Sequence, residues 1–271
     1  MKLWRQSRRV VSVLCLLVFV GGQVKAAEEA AVAETPPGFG RAWQTFEVDK
    51  WVFAERFLSD SKSVFWNQPN LMALGLAGIA SGVVDNNWDD KVAEDFRTRG
   101  KMSKTLDDAL YITGGPATHF ALTGIWYGLA AGSDDDEGRE KAITMMSALA
   151  ITGAATMSLK WAAHNECPNG AEYGWPSGHT SSTMCVASVL DEYYGPTVGI
   201  PAYIFTGVVG YRMMESGDHW ASDVLFGAVL GYVVGHTVAG KGKSVQVAGC
   251  DIVPFRGGNG TATGIALMKQ F

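Results

Sequence analysis

Apolar residues gather in six long segments, at 71–84, 116–132, 142–163, 180–194, 198–211 and 221–239. Polar stretches such as "DNNWDD" (85–90) and "SDDDEG" (133–138) divide some of them and read as solvated turns. The pattern predicts six helices and no strand before residue 244. Pro69 is well placed to start the first helix. Upstream, between residues 41 and 66, Trp43, Phe46, Trp51, Phe53, Phe57, Phe65 and Trp66 are dense, and Phe46, Phe53 and Phe57 share a helical face. That face suits a helix packed on a core and equally one lying in a membrane interface. After residue 244 the character changes. Val245, Val247, Ile252 and Val253 are β-formers and "GGNG" (257–260) is a turn signal, so a small hairpin is expected. The fold class is therefore all-α, a six-helix bundle with a small C-terminal β-hairpin.

The ends and the composition add a compartment. "MKLWRQSRR" is basic, residues 10–20 are apolar, and "VKA" ends at Ala26 with the small residues that signal peptidase prefers. A secretory signal over 1–26 and an exported, periplasmic or membrane location are expected. Residues 27–40 lack an apolar period and read as a flexible linker. Charged residues make up 18% of the 271, below the roughly 25% of soluble domains, and the net charge is −5. A nucleic-acid partner would need a basic face, so none is expected. A bilayer fits better. The segments are rich in Gly, Ala, Ser and Thr, as membrane bundles and tightly packed soluble bundles both are.

Candidate chemistry lies in three stretches. In "YGWPSGHTSS" (173–182), Gly178 permits close backbone approach, and Thr180, Ser181 and Ser182 suit a helix start, where N–H groups and the helix dipole favour an anion. His179 beside that cradle can donate a proton to a phosphate oxygen or leaving group. In "YRMMESGDHWASDVLFG" (211–227), His219 and Asp223 are one helical turn apart, so the carboxylate can hold one imidazole nitrogen while the other faces a substrate. Arg212 offers a planar fork for phosphate, and Asp218 reads as a solvated loop residue. In "SLKWAAHNECPNG" (158–170), Lys160 ends an apolar segment, either snorkelling or delivering a cation to the same anion.

Lys160, Pro168, Pro176-Ser177-Gly178-His179, Arg212 and His219-x-x-x-Asp223, in that order, resemble the type 2 phosphatidic acid phosphatase superfamily, which also holds the vanadium haloperoxidases. The resemblance covers roughly residues 70–240. It implies a helical bundle with the active site at one end and a phosphatase needing neither metal nor cofactor. It further implies that His219 is the nucleophile of a phosphohistidine intermediate, that Asp223 orients it and that His179 is the general acid. Lys160, Ser177, Gly178 and Arg212 would bind the phosphoryl oxygens of a phosphorylated lipid or a small phosphoester. The domain plan expected is a signal over 1–26, a linker and aromatic-rich amphipathic segment over 27–66, a phosphatase-like helical domain over 67–240 and a hairpin tail over 241–271.

Two departures qualify the resemblance. Where the family has an Arg before the first-motif Pro, this chain has Cys167, and six residues rather than five separate Arg212 from His219. Losing one charge-assisted contact costs about 2–4 kcal/mol of transition-state stabilisation. His164 is a candidate replacement cation. A slow phosphatase acting on monoesters or diphosphates is the leading expectation. A degenerate relative that binds a phosphorylated lipid without turnover is the alternative, and vanadate-dependent halide oxidation ranks last. With Cys15 removed alongside the signal, Cys167 and Cys250 in loop-like contexts suggest a disulfide stapling the tail over the rim of the site.

Overall fold

The computed structural model describes residues 37–99, 101–247, 250–256 and 263–269. The expected signal (1–26), the first part of the linker and the "GGNG" turn lie outside the described residues. Among those described there are nine helices: α1 (Pro37–Phe65), α2 (Gln68–Asn87), α3 (Asp89–Thr98), α4 (Lys104–Thr113), α5 (Pro116–Gly132), α6 (Asp136–Ala163), α7 (Gly178–Tyr194), α8 (Pro196–Glu215) and α9 (Ala221–Ala239). Three strands follow: β1 (Gln246–Val247), β2 (Cys250–Arg256) and β3 (Thr263–Met268).

The six predicted helices are α2 and α5 to α9; α5 and α9 keep the predicted bounds and the other four are longer. Asn67 caps α2 by accepting a hydrogen bond from Asn70 N, and Pro69 stands in its first turn. Asp135 accepts from Gly138 N and starts α6 six residues before its apolar run. The aromatic segment is helical as α1 up to Phe65. The polar run 85–90 is not a loop. It closes α2 and opens α3, whose first turn holds Asp89 and Asp90, the charge a helix N-terminus favours. Likewise Ser103 caps α4 through Leu106 N. These two helices are short and polar, so no apolar period announces them. The predicted hairpin is β2 and β3, antiparallel from Asp251↔Met268 to Arg256↔Thr263, with β1 added on the other edge of β2.

At the centre, α7 packs against α9 more extensively than any other helix pair. Gly227, Gly231 and Gly235 of α9 face successive turns of α7, and a Cβ on them would lie 2.7 Å from Ser177 O, 2.1 Å from Ser181 O and 2.6 Å from Cys185 O. Both series rise together, so the helices run parallel with their N-termini side by side. α6 runs antiparallel to α7, with Thr156 Oγ1 3.1 Å from Ser181 Oγ. Around this seam Met145, Leu149, Val189, Phe226, Leu230, Val233 and Val234 form the core. At the far end, buried Asn70 joins α1, α2, α9 and the tail. It donates to Val64 O and Thr237 Oγ1 (2.9 Å) and accepts from Val245 N (3.0 Å).

The suggested Cys167–Cys250 disulfide is not formed. The Cys167 thiol is free and buried, and it lies by Asp223, since a Cβ on Gly174 would be 3.2 Å from both Cys167 Sγ and Asp223 Oδ2. The sheet that Cys250 opens is anchored through Val245 to the Thr237 end of α9. Fourteen residues of helix separate the two ends, about 21 Å, whereas bridged Cα atoms lie within about 7 Å. The described start of the tail therefore lies at the opposite end of α9 from the rim that Cys167 lines.

Among the described residues two helices, α6 and α9, are long and apolar enough to cross a membrane, and both are more than half buried in the bundle. The outer surface is also apolar. Trp51 on α1, Ile79 on α2, Leu122, Ile125 and Leu129 on α5, and Ile200 and Ile204 on α8 are all exposed. Exposed apolar side chains on several helices suit contact with a membrane or a partner.

The glycine seam makes a direct prediction. Gly231→Ala drives a methyl group into the Ser181 carbonyl and is expected to destabilise the fold by about 1–3 kcal/mol or more. Gly153→Ala, on α6 with no heavy atom within 4 Å of the added carbon, is expected to be neutral or to stabilise by up to about 1 kcal/mol. Thermal unfolding of the two detergent-purified variants checks the contrast, which equal losses would remove.

Candidate active site

Four helix ends meet at one end of the bundle. The parallel seam brings the N-termini of α7 and α9 together, and Ser177 N donates to Asp223 O at 3.1 Å across the gap. The antiparallel neighbours α6 and α8 bring their C-terminal residues Lys160 and Arg212 to the same place. Two helix N-termini present free N–H groups and the positive ends of their dipoles, the setting an anion seeks. Ser177 is the N-cap of α7, fully buried, with its Oγ accepting from Thr180 N and from Thr180 Oγ1 (3.0 Å). Gly178 opens the helix against α6, where a Cβ would touch Thr156 Cγ2 at 3.8 Å and Lys160 Cε at 4.0 Å.

His219 and Asp223 are paired as their spacing predicts. Nδ1 of His219 lies 3.1 Å from Asp223 Oδ2, and both residues are buried. The same oxygen accepts Trp220 N at 3.0 Å, closing the first turn of α9, so one carboxylate both caps the helix and orients the ring. His219 N donates to Met213 O, which fixes the backbone before the ring. Nε2 is left for a reacting group. Asp223 Oδ1 is buried and has no hydrogen-bond partner among the described residues.

His179 stacks on Tyr111 of α4, ring centroids 4.7 Å apart. Burial pushes its pKa down to about 4, the positive charges of His219 and Arg212 push the same way, and a hydrogen bond to the Tyr111 carbonyl opposes them. Arg212 lies over the same Tyr111 ring, its Cζ 4.9 Å from the centroid. Its guanidinium is gripped by two carboxylates: Nε donates to Asp107 Oδ1 at 2.6 Å, and Nη1 to Asp218 Oδ2. Burial works against the Arg212 charge, but hydrogen bonds to Asp107 and Asp218 and their charge outweigh it and raise its pKa. Asp218 is thus not the solvated loop residue its position suggested. The extra residue in the third stretch makes this possible, because Gly217 takes a positive φ of 81° and turns the chain.

Lys160 Nζ donates to the carbonyls of Tyr173 and Gly174, the latter at 2.8 Å, pinning the loop that leads into α7. Cys167 sits buried beside it. Burial and the Asp223 charge raise its pKa while Lys160 lowers it, and the net rise keeps the thiol neutral. The position where the resemblance expects a positive charge therefore carries none. His164 does not replace it. It caps α6 in the left-handed region, exposed, with its ring against Tyr173 at 4.6 Å.

Several participants were not foreseen. Asp89 of α3 is buried and accepts Ser222 N at 3.0 Å and the Ser222 hydroxyl, fixing the residue before Asp223. Ser81 of α2 donates to Ser222 O and accepts from Trp175 Nε1, both at 3.0 Å, which ties the turn holding His219 to the loop before Ser177. Tyr111 and Asp107 of α4 shape the Arg212 side. The one cue in the sequence was that Asp89 and Asp107 stand in acidic pairs at helix starts. A pair of that kind predicts a cap and does not say what it faces.

The sequence matches known proteins over the same region. Residues 113–241 fit the profile of the PAP2 superfamily. A lipid A 1-phosphatase from Porphyromonas gingivalis is 26% identical over 176 residues, 61% of this chain and 37% of that protein's length. The fold is shared with a crystal structure described as the first transmembrane PAP2-type phosphatidylglycerolphosphate phosphatase, from Bacillus subtilis. That match has a TM-score of 0.52 at 19% identity and covers 64% of this chain and 95% of the other. A structure of Aquifex aeolicus LpxE aligns at a TM-score of 0.47 and 20% identity over 55% of this chain and 93% of its own. Residues 113–241, which hold Lys160, Ser177, Gly178, His179, Arg212, His219 and Asp223, are thus similar to the PAP2 superfamily.

Proposed function

We propose that the protein is an exported, membrane-associated phosphatase that hydrolyses a lipid-linked phosphate monoester or diphosphate through a phosphohistidine. The observation that carries this reading is the buried His219–Asp223 pair, set between two helix N-termini with His179 on the adjoining one. With Nδ1 held by Asp223, His219 Nε2 attacks phosphorus and displaces the ester oxygen, which takes a proton from His179. The phosphoryl charge is met by the N–H groups opening α7, by Lys160 and by Arg212. His179, now neutral, accepts a proton from water as the water oxygen attacks phosphorus, breaking the P–N bond and releasing inorganic phosphate. The exposed apolar belt and the basic-then-apolar start of the chain support the membrane and the export. The names of the relatives favour a phosphorylated lipid as substrate.

One observation favours a second reading. Cys167 is neutral where the family pattern has Arg, and Arg212 is already paired with two carboxylates, so the site is poorer in free positive charge than the reaction calls for. A protein that holds a phosphorylated lipid without turning it over would look the same.

Phosphate release separates the two readings. Detergent-purified protein is to be tested on phosphatidic acid, an isoprenyl diphosphate and a small soluble ester, beside His219→Ala. The phosphatase reading expects turnover on at least one substrate and a loss of about 10³-fold or more in the variant. Release no greater than that of the variant on all three favours the binding reading.

His179 sets a pH dependence. As general acid it must be protonated, and its pKa of about 4 leaves it neutral in the free protein near pH 7. Bound phosphate adds negative charge and draws the proton back. After correction for substrate ionisation, kcat/KM, which reports free protein, is expected to fall as pH rises above about 4, while kcat holds to higher pH. A kcat/KM that stays flat between about pH 5 and 8 contradicts this role.

A further inference from the structure

The Asp218 carboxylate occupies one edge of the Arg212 guanidinium. Of the three nitrogens of the guanidinium, Nε is held by Asp107 and Nη1 by Asp218, and no partner is found for Nη2 among the described residues. The two carboxylates are not equivalent. Asp107 comes from helix α4, where the chain is rigid and Tyr111, one turn on, supports the same guanidinium from its face. Asp218 comes from the three-residue turn between α8 and His219, next to Gly217 at a positive φ, and its side chain is 32% exposed. Its other oxygen accepts Asn169 Nδ2 at 3.0 Å, and Asn169 N donates to Gly217 O at 3.0 Å. Asp218 therefore bridges Arg212 to the loop that carries Cys167, across the mouth of the site.

We infer that Asp218 is a displaceable counter-ion, a stand-in for phosphate that keeps Arg212 oriented and neutralised until a phosphoryl group takes its place. This rests on the reading of the site as one for a phosphoryl group. Asp107 remains as the fixed anchor through the exchange. The exchange is feasible because a doubly charged terminal phosphate interacts more strongly with a guanidinium than a single carboxylate does, and offers a bidentate edge. Asp218 moves into water, where its charge is solvated, because it already lies at the surface. It also explains the sixth residue between Arg212 and His219. That residue lengthens the turn enough for a carboxylate to fold back onto Arg212, and with Cys167 neutral it lowers resting anion affinity further.

The test is the affinity of the full-length protein in detergent for inorganic phosphate, measured by titration calorimetry, together with the KM of any substrate it turns over. Asp218→Asn and Asp218→Ser remove the charge, and Asp218→Glu keeps it. Loss of a competing, partly exposed ion pair is expected to tighten phosphate binding about fivefold in Asn and Ser, with Glu close to the parent. If the protein turns over substrate, KM falls in the same two variants. Binding in Asn and Ser that is unchanged or weaker overturns the inference, because Asp218 would then be a support for Arg212 and not its competitor. Tighter phosphate binding without turnover in any form leaves the inference standing and rejects the catalytic reading instead.

Discussion

The close approach of α7 and α9 is the constraint on which the site depends. Two helices packed through ordinary side chains stand about 8–10 Å apart, but Gly227, Gly231 and Gly235 let α9 lie directly against the carbonyls of Ser177, Ser181 and Cys185. Only at that distance does Ser177 N reach Asp223 O, so that both helices start in the same plane. A parallel pair adds its two dipoles at that plane, where an antiparallel pair would cancel them. Small residues at every fourth position are thus a matter of charge as much as of packing. They place two positive helix ends beside one histidine–carboxylate pair.

Electrostatic balance at the site follows from what surrounds that plane. Lys160 and Arg212 are the cations, Asp107, Asp218 and Asp223 the anions, and Cys167 contributes nothing. Asp223 is held by Trp220 N and His219, and Ser222 beside it by Asp89 and Ser81, so the placing of the His219–Asp223 pair is fixed by hydrogen bonds. Ser81, Asp89, Asp107 and Tyr111 all precede the matched region 113–241. The segment before residue 113 therefore supplies contacts to the candidate site.

The sequence made the helices with long apolar runs legible, together with the order of the three chemical stretches, because helical period and the His219–Asp223 spacing are local properties. α3 and α4 were hidden because short, polar helices lack an apolar stripe and rest on caps such as Ser103. Asp218 was misread for a related reason. A turn residue next to glycine ordinarily faces water, and only the tertiary placement of Arg212 and Asn169 gives it partners. The proposed Cys167–Cys250 pairing failed because composition and compartment say which cysteines are available to pair but not that a 19-residue helix separates their neighbourhoods. Tyr111, lying under both His179 and Arg212, carried no sequence cue at all.

The central claim is that His219 takes the phosphoryl group. The direct measurement is a rapid quench of the protein mixed with a ³²P-labelled lipid phosphate on which it shows turnover, followed by peptide mapping under alkaline conditions that preserve phosphohistidine. The account predicts label on the peptide containing His219, lost in acid and absent in His219→Ala. Turnover with no label on that peptide, or label on another residue, would contradict it.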